Sequence, residues 1–467
     1  MKKILWFFGI VIIGLIGFCI YFLNAAMPTG TGYSAKYICS QVFLAERDPA
    51  VVFENDVKPT HPLFGVIKFK VNRDTKTVTA KGFGFWSPMT AVYRDGCGCT
   101  LAVDTPIEEL LNQSKGFIPQ QQPNTQRLWP AGEAVNFKNI PSEVDTNKLQ
   151  SVIESAFQEP GPDTKRNTQA VVVVYKDRII AEKYADQFSP STPILGWSMS
   201  KSVTNALVGI LVKDKKLDIM KPAPVSAWTD ANDPRSKILL DQMLRMSSGL
   251  EFQEVYAPFK DATKMLYNSK SMADYAAAKP LRTEPDNEWY YSSGTTNIIA
   301  RIIRDTLGGT LSDVTNFART RLFDRVGMYS AIIEPDASGS LVGSSYMFAT
   351  PRDWARFGVF IKNDGIWNGQ RILPAGWVKY STTPTPMAPK GEYGAQFWLN
   401  AGNKDNVSDK YFPSLPSDMI FLHGFNSQIT AIFPSKNTVI VRMGVTHSKA
   451  DWDEEGFIRQ VLECIKS

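Results

Sequence analysis

Apolar residues along this chain follow three patterns. The first is unbroken: residues 4 to 23, ILWFFGIVIIGLIGFCIYFL, run for twenty positions without a charge, enough to cross a hydrocarbon core as a helix. The second is short, β-branched runs joined by turn residues. VIKFKVN and TKTVTAKGFGF flank an Arg73-Asp74 turn, AVVVVYKDRIIAEKYA (170–185) turns at Lys176-Asp177-Arg178, and SQITAIFPSKNTVIVRMGV (427–445) turns at Pro434-Ser435-Lys436-Asn437. Each reads as a β-hairpin. The third is helical spacing. In SVTNALVGILV, Val203, Leu207, Ile210 and Leu211 share one helix face. In DWDEEGFIRQVLECIKS, early acids, a late Lys466 and apolar Phe457, Val461 and Cys464 predict a terminal helix.

The order of these elements sets the architecture. Strands at both ends of a long region, with mainly helix and loop over about 200–380, predict an antiparallel sheet assembled from distant parts of the chain. Helices flank the sheet beside a mainly helical subdomain, an α/β (α+β) fold. Four segments are expected: an N-terminal apolar segment at 1–27, a small β-containing leader domain at 28–112, a Gln/Pro/Gly-rich linker at 113–133, and a large domain at 134–467.

Lys2 and Lys3 precede the apolar run. They orient it with its start in the cytoplasm and the rest of the chain outside, an uncleaved anchor. A cleaved signal peptide is the competing reading, with LNAAM a mediocre cleavage site. Either way the large domain lies beyond the membrane, periplasmic or extracellular, and is secreted if the segment is cleaved. An oxidising compartment permits disulfides, and Cys39 is expected to pair with Cys99 or Cys97. Cys97-Gly98-Cys99 has no His or second Cys pair at zinc-like spacing, so no metal or cofactor is expected. Net charge is +5, with no block of Lys or Arg, and a nucleic-acid partner is not expected.

The helical stretch opens as GWSMSK, with Ser198 and Lys201 three apart. That spacing puts the lysine one turn from the serine on one helix face, where a desolvated amine can take a hydroxyl proton. The plainer alternative is a Ser198 cap beside a solvated Lys201. A second stretch, EWYYSSGTTNIIARII (288–303), sets Tyr291-Ser292-Ser293 before another apolar helix. A tyrosine and a hydroxyl there supply a second proton carrier and donor.

Together these stretches resemble the serine β-lactamase and penicillin-binding-protein superfamily, in its class C-like, esterase and nylon-oligomer hydrolase branch. Ser198-Met199-Ser200-Lys201 corresponds to the Ser-x-x-Lys motif and Tyr291-Ser292-Ser293 to the second motif. FLHGFNSQITAIFP places His423-Gly424 where the third motif stands. The landmarks LLDQMLRMSSGLEF and YGAQFWLN agree, and the resemblance spans roughly 165–465. It implies a serine nucleophile at Ser198 activated by Lys201, with Tyr291 carrying protons. The Ser198 amide and one near Phe425-Asn426 would form an oxyanion hole. Ser293, His423, Gly424, Phe425, Asn426 and Trp197 would contact substrate, with Trp289 and Trp398 also lining an acyl pocket. His423-Gly424 replaces Lys-Thr-Gly, which turns the expectation from β-lactams or D-peptides toward a small ester or amide. Residues 30–112 resemble a leader domain of some exported members.

Two other readings are available. GWSMS approximates an α/β-hydrolase elbow with His447 and Asp451 or Asp453 as partners, but the preceding FSPSTPIL is a poor strand. A non-catalytic binding or scaffold protein on the same fold would lack a bonded Ser198, Lys201 and Tyr291.

Overall fold

The computed structural model describes residues 2–161 and 164–466. The apolar N-terminal run does not end near residue 27. A single helix, Lys2–Phe43, carries it on through Pro28. Proline removes one intrahelical donor, and hydroxyls brace the next turns: Thr31 Oγ1 donates to Met27 O at 3.0 Å and Ser34 Oγ to Gly30 O at 2.8 Å. Side chains such as Trp6, Ile13 and Tyr21 are exposed, whereas Ala26, Met27 and Thr31 onward are buried. The boundary expected at 27–28 is therefore a change of surroundings within one helix. By length and composition this helix can cross a membrane.

The buried half of the helix lies across a four-stranded antiparallel meander: β1 (Ile67–Asn72), β2 (Thr77–Gly82), β3 (Trp86–Arg94) and β4 (Gly98–Leu101). The β1–β2 turn forms where the Arg73-Asp74 pair predicts it, with Asn72 Oδ1 accepting from the Asp74 and Thr75 amides. Cys39 of the helix is disulfide-bonded to Cys99 of β4, and Cys97 and Cys464 are buried thiols. Residues 114–133 form no regular helix or strand, yet they are held: Arg356 donates to Pro130 O at 3.0 Å and Gly132 O at 2.6 Å.

After the helix Thr146–Ala156, the main sheet of the large domain opens with β5 (Thr168–Tyr175) and β6 (Arg178–Tyr184). Lys176 and Asp177 of their turn both take left-handed φ, 50° and 58°, the geometry that matches strand twist in a two-residue hairpin. Short strands β7 (Ile194–Leu195), β8 (Ile332–Ile333) and β9 (Met347–Ala349) make a second sheet ordered β7-β9-β8, and β10 (Ile366–Trp367) pairs with β11 (Gln370–Arg371). The chain ends with β12 (Trp398–Leu399), β13 (Ile420–Gly424), β14 (Gln428–Phe433), β15 (Thr438–Gly444) and the helix Glu454–Glu463.

The main sheet runs β12-β13-β14-β15-β5-β6, all antiparallel, so C-terminal strands pair with β5 as expected. Its layering follows from alternation along β5. Ala170, Val172 and Val174 enter the core shared with the helix Ser200–Lys213, while Val171, Val173 and Tyr175 enter the one shared with helices Thr146–Ala156 and Glu454–Glu463. A strand buried on both faces reads as a continuous apolar run. Between β7 and β9 the chain builds the helical subdomain, including Asp261–Asn268, Met272–Ala277, Ser293–Thr306 and Leu311–Ala318.

The Ser200–Lys213 helix departs from the amphipathic expectation. It is buried all round from Ser200 to Leu211. Its polar residues are satisfied by backbone carbonyls: Ser202 by Gln396 at 2.7 Å, Thr204 by Gly343 at 3.0 Å and Asn205 by Ala395 at 2.9 Å.

Candidate active site

From Ile194 to Leu211 every residue except Ser198 is buried. The local backbone explains this. Gly196 lies against the Trp354 ring, where a Cβ would collide. Trp197 adopts φ 48°, a left-handed conformation costing a bulky residue about 1–3 kcal/mol and tolerated only where packing dictates it. Trp197–Met199 is a tight 3-10 turn, and the α-helix proper begins at Ser200. Ser198 thus sits one turn ahead of the helix. Ser200 Oγ locks that turn, donating to Trp197 O at 2.6 Å and accepting from Met347 N at 3.1 Å.

Lys201 is 1% exposed. Its Nζ donates to Ser198 Oγ at 3.1 Å, Ser293 Oγ at 3.0 Å and Ser344 O at 3.0 Å. Burial lowers its pKa to about 8, against the opposing negative charge of Glu254. Ser293, expected to position substrate, is itself fully buried and donates to Glu254 Oε1 at 2.6 Å, while its amide donates to Glu254 Oε2 at 2.7 Å. Its hydroxyl thereby links Lys201 to Glu254. Tyr256 extends the chain, its hydroxyl donating to Glu254 Oε1 at 2.9 Å. Sequence reasoning missed Glu254, because residues 251–260 form no regular element and its partner lies 39 positions away.

Tyr291 leads into the helix Ser293–Thr306, capped by Ser292 Oγ accepting from Thr295 N at 3.1 Å. Lys201 Nζ stands over its ring, 4.7 Å from the centroid. Burial and the charge of Glu254 push the phenol far above its ordinary value, while hydrogen bonding toward Ser198 and Trp398 pulls it down. Trp398 leans on Tyr291 at 5.3 Å between centroids and Tyr393 meets it edge-on at 5.7 Å. Trp289 contacts both supporting rings. Trp289 and Trp398, expected at an acyl pocket, form an aromatic wall around Tyr291.

The third motif closes the other side. Gly424 ends β13, and a Cβ there would run into the Gly196 carbonyl oxygen, so only glycine allows β13 this close to the serine turn. Asn426 and Ser427 of the following loop take φ 62° and 63°. Arg442, fully buried, donates to Ser427 O at 3.0 Å and fixes that loop. Phe425 meets Trp197 edge-on at 5.7 Å. His423 pairs with Glu454 at 3.1 Å and packs against Trp398, one ring removed from Tyr291. The α/β-hydrolase partners are scattered. His447 meets Asn55 O at 3.4 Å, Asp451 accepts from Lys165 N and Asp453 caps the last helix.

The layered sheet, with a lysine-bonded serine ahead of its central helix, defines the β-lactamase and transpeptidase architecture. The chain belongs to the beta-lactamase family, whose profile matches residues 153–456. A 6-aminohexanoate-dimer hydrolase of Paenarthrobacter ureafaciens is 24% identical over 298 residues, 59% of this chain and 72% of that protein. A family VIII carboxylesterase superposes with a TM-score of 0.53 at 15% identity, over 71% of this chain and 99% of the other. EstCE1, a hydrolase with promiscuous acyltransferase activity, gives a TM-score of 0.54 at 13% identity, over 69% and 98%. The family match starts within the helix Thr146–Ala156, so the N-terminal helix and leader sheet lie outside it.

Proposed function

We propose that this protein is a serine hydrolase that cleaves a carboxylic ester or amide through an acyl-enzyme, with its catalytic domain held outside the cytoplasm by the N-terminal helix. The observation that carries this is the buried Lys201 Nζ, 3.1 Å from the one solvent-reachable side chain in its stretch, Ser198. An amine with a pKa of about 8 is neutral in roughly one molecule in ten at pH 7, far more than an ordinary lysine, and the neutral form accepts a proton.

Ser198 Oγ attacks the substrate carbonyl carbon and its proton passes to Lys201 Nζ. The oxyanion is met by the Ser198 amide and an amide of the Phe425-Asn426 turn. Collapse breaks the ester or amide bond. Tyr291 hands a proton to the departing alcohol or amine, then takes one from the water that attacks the acyl carbon. Free acid leaves and Ser198 regains its proton. Glu254 and Ser293 hold Lys201 in place from the buried side. A third motif without lysine, whose histidine is engaged by Glu454, favours substrates with no carboxylate to anchor. The similarity to a 6-aminohexanoate-dimer hydrolase and to a family VIII carboxylesterase supports the ester or amide class.

Intact-mass labelling of the full chain in detergent with a fluorophosphonate tests this. One adduct on wild type, absent in Ser198→Ala and strongly slowed in Lys201→Ala, is the expected result. Equal labelling of all three proteins would place the reactive group elsewhere.

A further inference from the structure

A cavity of about 120 Å³ lies at the seam between the N-terminal helix, the leader domain and the catalytic domain. Its lining is mainly apolar, with Thr29, Thr60, His61 and Thr263 as the polar exceptions. Ala26, Met27 and Gly30 of the helix form one wall, and Leu63, Phe64 and Ile67 of the leader another. The third wall is Trp197, Tyr256 and Phe425. Each of these last three adjoins the machinery: Trp197 precedes Ser198, Phe425 follows Gly424, and the Tyr256 hydroxyl bonds Glu254. Tyr256 and Phe425 stack at 5.7 Å and Phe425 meets Trp197 edge-on at 5.7 Å, so this wall is a run of rings that reaches the serine turn. The volume approaches that of a 150 Å³ protein cavity able to hold benzene.

The cavity also lies beside the exposed apolar run. At 1.5 Å per residue, Ala26 stands about 5 Å along the axis from Leu23, the last residue of that run. An aromatic collar surrounds this point. Phe22 packs on Phe259 at 5.5 Å, Trp86 Nε1 donates to Asn24 Oδ1 at 2.8 Å, and Trp86 carries Phe83 at 6.4 Å. Tyr21, Phe83 and Phe85 are 69%, 47% and 76% exposed. Aromatic rings around the end of an apolar helix are the mark of a membrane interface.

Resting on the hydrolase reading above, we propose that this cavity receives the hydrocarbon part of an amphiphilic ester or amide taken from the bilayer surface, and so selects substrates with a short aliphatic chain. The collar sets the catalytic mouth against the membrane. The apolar part of the substrate leaves the lipid beside Ala26 and Met27, and its carbonyl reaches Ser198 past Tyr256 and Phe425. A cavity of this size takes about four or five carbons. Each methylene buried there raises kcat/KM about fourfold, and further length adds nothing.

The test uses the full chain in lipid nanodiscs with 4-nitrophenyl esters from acetate to decanoate. Expected is a rise of about fourfold per carbon that levels near hexanoate. Ala26→Phe, which fills the cavity, lowers the hexanoate-to-acetate ratio at least tenfold. Leu63→Ala, which enlarges it, moves the plateau to longer esters. A flat profile with Ser198 still labelled overturns this proposal alone. No ester turnover together with no labelling overturns the hydrolase reading beneath it. For the lipid source, a hexanoyl ester on a bilayer-embedded anchor is compared with the soluble hexanoate. Phe83→Ser/Phe85→Ser lowers the anchored-to-soluble ratio several-fold, and an unchanged ratio overturns uptake from the bilayer.

Discussion

In the proposed reaction Lys201 is the residue on which the chemistry turns, because its surroundings set its charge. Among the described residues its Nζ donates only to neutral oxygens, from Ser198, Ser293 and Ser344, and Glu254 reaches it through Ser293. Burial therefore prevails over the distant carboxylate, and the pKa falls to about 8. The consequence for rate has a definite sign. Above about pH 8 the amine is mostly neutral and able to take the Ser198 proton; below it the base is lost. The fluorophosphonate labelling rate of Ser198 is expected to climb tenfold per pH unit below 8 and level above it. A rate constant across pH 6.5–9 would remove Lys201 from the role of base. Lys201→Arg should label far more slowly at every pH in that range, since a guanidinium does not deprotonate there. The same shift bears on stability. Between about pH 8 and the usual lysine value near 10.4, the unfolded chain binds a proton that the folded one does not, so this residue adds stability as pH rises through that window.

At the scale of elements, what the sequence discloses is what neighbouring residues decide. The β1–β2 and β5–β6 hairpins are legible because Asn72, Lys176 and Asp177 fix their turns locally. The last helix is legible because Phe457 and Val461 recur at its period. Ser198, Lys201 and Tyr291 stand out through ordered motifs, and the structure brings them together. Distance hides the rest. Glu254 and the wall built by Trp289, Tyr393 and Trp398 join residues from separate loops. Helix continuity through Pro28 is decided by the leader sheet packed beneath it, which no local pattern reports. The Cys39–Cys99 bond, between that helix and β4, is one of the pairings the sequence leaves open, and only tertiary placement selects it. It closes a loop of 60 residues, worth roughly 4 kcal/mol by chain entropy. Cys39→Ala/Cys99→Ala should lose about 2–4 kcal/mol in urea unfolding. An unchanged midpoint would mean that helix packing alone holds the leader sheet.

At the scale of the molecule, the N-terminal helix and the leader sheet form a wall of the large domain. Tyr33 and Tyr37 of the N-terminal helix lie nearly parallel to Trp197, at 6.4 and 6.2 Å, so they hold the strained turn that presents Ser198. Glu334 of the large domain is completely buried and is satisfied from the leader, by an ion pair with Lys36, by Ser40 Oγ at 2.9 Å and by the Cys99 amide at 2.6 Å. Withdrawing the leader would leave that carboxylate without those partners, a loss of about 3–5 kcal/mol when a buried pair is broken from one side, and would uncover Trp197 and Tyr267. The covalent link between the two parts is a lesser matter. Gln121 and Gln122 are exposed, and a protease site inserted between them should be cut without consequence. After cutting, the two parts should co-elute and label at Ser198 at the wild-type rate. A fragment begun at residue 124 and expressed alone should be aggregated or unlabelled. Separation of the cut parts, or a fragment as reactive as the whole, would make the leader a tethered module and leave the Trp197 turn to be held by the large domain itself.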